Sequence, residues 1–92
     1  MRNPDRTYIT LYDRSVYILN EQMDVVNHWF KIFQTTKDPD LRKRNSKRVA
    51  QELAVFSGMQ ELFNATFRDY TIKTEIIETP AGERYNFWIE AR

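Results

Sequence analysis

Hydrophobic and polar positions change period along the 92 residues, and each change marks a predicted element. Residues 7–12 are β-branched and aromatic and alternate, with Ile9 and Leu11 on one side and Tyr8, Thr10 and Tyr12 on the other, the period of a half-buried strand. Asp13, Arg14 and Ser15 interrupt the run, and Val16, Tyr17, Ile18 and Leu19 resume in the same style. The pattern therefore predicts an N-terminal strand or β-hairpin, with a helix capped at Ser15 as the competing reading.

From Asn20 the period becomes helical. Asn20 is a capping residue, Glu21 and Asp24 suit the positive end of a helix dipole, and Met23, Val26, Phe30 and Phe33 line one face. Val25, Trp29 and Ile32 widen that stripe, while Asp24, Asn27, His28, Lys31 and Thr35 collect opposite, and the helix should stop near Thr36. Asp38 followed by Pro39 starts a second helix, since Asp supplies a capping oxygen and Pro at the first helical position loses no needed donor. Val49, Ala50, Leu53, Ala54 and Phe56 form its apolar face. Ser57 with Gln60 fits a capping box and Gly58 costs about 1 kcal/mol inside a helix, so a kink or a new helix is predicted there, with Met59, Leu62, Phe63 and Phe67 continuing the buried face.

The last segment alternates over residues 71–78 and again over residues 83–90, and Thr79, Pro80, Ala81 and Gly82 supply turn chemistry between them. Tyr85, Phe87 and Ile89 fall on one face of this hairpin, and Arg84, Asn86, Trp88 and Glu90 on the other. The predicted class is α+β: an antiparallel sheet of three to four strands, with two or three helices packed on one face.

Length and composition set the scale of the core. A chain this short reads as one domain spanning residues 1–92, and its six Phe, five Tyr and two Trp supply most of the apolar area that such a core needs. The absence of cysteine excludes disulfides and thiolate chemistry. No stretch has the apolar core of a signal peptide or the length of a membrane span, so a cytoplasmic protein without membrane contact is expected. On that expectation, the Asn64-Ala65-Thr66 match to a glycosylation acceptor is accidental.

Charge is segregated. Arg42, Lys43, Arg44, Lys47 and Arg48 fall within seven residues that contain no acid. With Lys37, Asp38 and Asp40 the segment holds six cations and two anions, net +4, and leaves eight cations against eleven anions, net −3, for the rest. On a helix Arg44, Lys47 and Arg48 share a face and Lys43 lies one turn before Lys47, an arrangement suited to phosphates. Cations near a helix start also oppose its dipole by about 0.3 to 1 kcal/mol each, so something other than local stability should favour them. Against this stand the total charge of only +1 and the frequency with which charge runs are plain solvated surface.

Other chemistry is weaker. A helix-turn-helix beginning with Val49, Ala50, Leu53, Ala54 and Val55 fails at Gln60 and Glu61, where an apolar contact and a groove-reading face are needed. Trp88 beside Arg84, with Tyr8 and Tyr12 on a neighbouring strand, would form a base-stacking platform, although half-buried sheet aromatics or a protein interface account for the same residues. His28 has no nucleophile or ligand at a useful spacing, and Glu75, Glu78, Glu83 and Glu90 beside Lys73 and Arg84 read as cross-strand charge pairs. Gly58 and Gly82 stand alone, so no phosphate-cradling loop exists, and neither cofactor nor metal is expected.

These features describe a protein that binds without turnover: a small regulator or inhibitor, of the kind phages and mobile elements encode. It would dock on nucleic acid, or on a protein or ribonucleoprotein assembly, through Lys37, Arg42, Lys43, Arg44, Lys47, Arg48 and Trp88. The alternative is a protein-interaction module or homodimer that uses exposed aromatics.

Overall fold

A computed structural model describes the backbone of residues 4–92 and the side chains from Tyr8 onward. Two long helices, α1 (Pro4–Thr35) and α2 (Pro39–Thr66), are followed by two strands, β1 (Tyr70–Thr79) and β2 (Gly82–Ala91). The helices lie side by side in opposite directions, and the antiparallel hairpin covers one side of the pair in a register that runs from Tyr70 opposite Ala91 to Thr79 opposite Gly82. The class is α+β, but with two helices and a two-stranded sheet among the described residues.

The hairpin predicted over residues 7–19 does not form. That segment is the first half of α1, and neither Ser15 nor Asn20 starts a helix. The Ser15 hydroxyl donates to the Leu11 carbonyl at 2.8 Å, one turn back inside the helix. The reason is tertiary. Tyr8, Tyr12, Val16, Leu19, Met23, Val26 and Phe30 follow one another at spacings of three or four, a continuous helical stripe. The Tyr8 ring meets Phe67 at 5.4 Å, and the Tyr12 ring meets Phe63, Phe67 and Tyr70 at 5.7, 5.5 and 5.2 Å. Helix-propensity deficits of about 0.7 kcal/mol or less per residue lose to burial, which contributes about 1.5–3 kcal/mol for a side chain such as Leu19.

α2 begins where Asp38 and Pro39 place it, with Asp38 Oδ1 accepting from the N–H groups of Asp40 at 2.9 Å and Leu41 at 3.2 Å. It then runs unbroken through Ser57 and Gly58, so the predicted kink is absent. A Cβ at Gly58 would meet nothing within 4 Å, and buried Phe56 and Phe63 anchor the helix on either side of it. At 1.5 Å per residue α2 is about 42 Å long, and an elongated molecule of 59 × 23 × 19 Å accommodates it.

The core runs through Leu19, Met23, Val26, Phe56, Phe63, Phe67 and Ile72, with Tyr85, Phe87 and Ile89 packed against it from β2. Side-chain amides fix the hairpin to both helices. From α1, Asn27 bonds both backbone groups of Tyr85 and Gln34 bonds both of Glu83. From α2, Asn64 accepts from the Ile72 N–H at 3.2 Å and Gln60 donates to its carbonyl at 3.1 Å. An antiparallel ladder leaves alternate residues pointing away from the partner strand, and these amides occupy such groups at residues 72, 83 and 85.

Candidate functional site

The capped N-terminus of α2 sets the placement of every cation in the basic segment. Asp38 and Asp40 occupy the cap and first turn, so Arg42 to Arg48 begin beyond the turn where the dipole acts most strongly. The dipole penalty inferred from sequence is therefore largely offset.

The segment divides into two sets. Arg42 and Arg48 turn back onto α1, the first guanidinium lying 4.6 Å from the centre of the Phe33 ring and the second 4.8 Å from that of Trp29. Arg48 Nε also pairs with Glu52 Oε1 at 3.1 Å, and Glu52 Oε2 accepts from Gln22 Nε2 at 2.8 Å, tying this arginine to both helices. Cation–π contacts at such half-exposed sites contribute about 0.5–1 kcal/mol each. Lys43, Arg44 and Lys47 form the second set. They are exposed, project from the side of α2 turned away from the buried Val49 and Phe56, and have no carboxylate among the described residues within ion-pair distance. Lys37, in the connection between the helices, is likewise exposed and has no ion pair among the described residues.

Residues three and four apart on a helix have Cβ atoms about 5–6 Å apart, so Lys43, Arg44 and Lys47 make a compact triangle of charge at the end of the molecule where the helices turn. The arrangement suits two or three neighbouring phosphates or an acidic protein surface.

Trp88 does not join this cluster. It lies on the face of β2 opposite Phe87 and Ile89, across the strands from Lys73, and its indole N–H donates to Glu90 Oε1 at 2.8 Å. Tyr8, exposed but edge-on to Phe67, and Tyr12, packed against the core, both lie on α1 and no strand carries them, so the stacking platform does not assemble. The helix-turn-helix is excluded because Val49 to Glu61 lie within one continuous helix. The expected cross-strand charge pairs are also absent: Lys73 faces Trp88, Arg84 faces Ile77, and Glu78 and Glu83 face each other. Among the described residues the ion pair is Arg48–Glu52.

His28 is exposed on α1, edge-on to Trp29 at 5.5 Å, beside a shallow cleft that also takes in Asp24, Lys31, Glu83 and Arg84. Among the described residues no group of three or more His, Asp or Glu side chains is placed to hold a metal ion, and no helix is long and apolar enough to cross a membrane. The residues that sequence reasoning missed are Asn27, Gln34, Gln60 and Asn64. Their side-chain bonds reach across 8 to 58 positions of sequence, and no local pattern announces them. Compared with protein-family models, with curated proteins and with solved structures, the chain matches none.

Proposed function

We propose that the chain is a non-catalytic binding protein, a small regulator or inhibitor that contacts nucleic acid, alone or within the assembly that handles it, through the outer face of the first half of α2. The observation that carries this reading is the division of the basic segment. Arg42 and Arg48 are occupied by Phe33, Trp29 and Glu52, whereas Lys43, Arg44 and Lys47 are held together on a rigid helix with no carboxylate among the described residues within ion-pair distance. Three like charges within one turn and a half repel one another, and an external polyanion relieves that repulsion while releasing its own counterions. Phosphate is favoured over an acidic protein because the cluster contains no aromatic anchor of the kind protein interfaces centre on.

The test is binding of the Lys43→Glu, Arg44→Glu, Lys47→Glu triple variant to duplex and single-stranded oligonucleotides and to lysate treated or not treated with nuclease. Loss of oligonucleotide binding with an unchanged circular dichroism spectrum supports the reading. Retained binding, or capture from lysate that is indifferent to nuclease and to the triple variant, removes it.

A further inference from the structure

The hairpin covers one side of the helix pair, and the opposite side is apolar and uncovered. On α1 it presents Leu11, Ile18 and Val25, seven residues apart and 53, 51 and 38% exposed; on α2 it presents Val55 and Leu62, again seven apart and 51 and 69% exposed. Between them runs a cleft floored by Leu19, Met59 and Phe63. A seven-residue repeat of apolar positions is the spacing by which one helix packs along another.

We propose that a second copy of this chain occupies that face, forming a four-helix dimer in which α1 runs antiparallel to α1 of its mate. One observation leaves room for an interface and a second selects its occupant. The chain leaves 7030 Å² exposed, about 1,300 Å² more than the roughly 5,700 Å² of a compact monomer of its mass, and an ordinary interface takes only about 800 Å² from each partner. The stripe is also self-complementary. With Ile18 set against Ile18 of the second copy, Leu11 meets Val25 of that copy and Val25 meets its Leu11. Arg14 and Glu21 flank the stripe on one side, seven residues apart, and Arg14 has no ion pair among the described residues. The same antiparallel register brings Arg14 of each copy beside Glu21 of the other. A twofold axis thus makes both ion pairs at once, as an isologous interface requires. The two exposed basic clusters then lie toward opposite ends of the dimer.

Sedimentation equilibrium of the whole chain tests this. The expected mass is twice the 11.1 kDa of one chain. Ile18→Glu and Leu62→Glu, both at half-exposed or more exposed positions, should each raise the dissociation constant at least about 30-fold with the circular dichroism unchanged. Arg14→Glu should raise it about tenfold by setting like charges together, and adding Glu21→Arg to Arg14→Glu should restore it to within about threefold. A monomer at every concentration up to about 0.5 mM, where even weak interfaces associate, would overturn the proposal. So would a dimer indifferent to Ile18→Glu, or a charge swap that brings no recovery.

Discussion

Asn27 grips Tyr85 by both of its backbone groups: Nδ2 donates to the Tyr85 carbonyl at 2.9 Å, and Oδ1 accepts from the Tyr85 N–H at 2.7 Å. One side chain of α1 thus substitutes for a missing third strand, and with Gln34 at Glu83 it sets where the hairpin docks. Asn27→Ala leaves a half-buried donor and acceptor unpaired and should cost about 1–3 kcal/mol in urea unfolding. A loss below about 0.3 kcal/mol would show that water replaces the amide there.

The two glycines should respond with opposite signs. Gly82 has φ +117° and a Cβ there would lie 3.0 Å from Gln34 Oε1, so Gly82→Ala should destabilise by about 1–3 kcal/mol. Gly58 is helical and open to solvent, so Gly58→Ala should stabilise by about 1 kcal/mol, raising Tm by about 4–8 °C. Thermal unfolding of the pair checks both signs.

The two sets of cations should separate by stability. Arg48→Glu loses the Trp29 ring and sets a carboxylate beside Glu52, and should cost about 1–2 kcal/mol. Lys47→Glu breaks no ion pair among the described residues and should stay within about 0.5 kcal/mol of the parent. Equal losses in chemical denaturation would contradict the assignment of Arg48 to the fold and Lys47 to the surface.

Tyr12 carries an alkaline signature. Burial, aided by Tyr70, Asp13 and Tyr8, raises its hydroxyl above the ordinary 10.0. The neutral phenol is therefore favoured in the folded chain, and its contribution is fully present below about pH 10 and lost as pH rises through the higher folded value. Tyr12→Phe should flatten the alkaline limb of the stability profile; an unchanged limb would place the effect on another tyrosine.

What could be read in the sequence follows from where the determining chemistry lies. The start of α2 at Asp38 and Pro39, the end of α1 near Thr36 and the turn at residues 79–82 rest on caps and turn residues a few positions apart, and all three are in the structure. The first half of α1 was hidden because its β-branched and aromatic residues look strand-like over six positions. Its helical period emerges only over the 23 residues from Tyr8 to Phe30, and the rings that reward it sit on α2 (Phe63), at its C-cap (Phe67) and on β1 (Tyr70). Gly58 misled for a related reason, since packing of Phe56 and Phe63 outweighs one unfavourable residue. At the candidate site, the clustering of charge was plain. The division into held and free cations was not, because Phe33 and Trp29 belong to the other helix.

Contact of Lys43, Arg44 and Lys47 with phosphate would make binding salt-sensitive. The most direct measurement is the salt dependence of binding to a duplex oligonucleotide, compared between the parent chain and the triple glutamate variant. Three phosphate contacts predict an affinity loss of about 40-fold between 50 and 200 mM salt for the parent, with binding abolished in the variant. An affinity that is flat with salt, or equal in the two proteins, would show that these three residues do not meet phosphate.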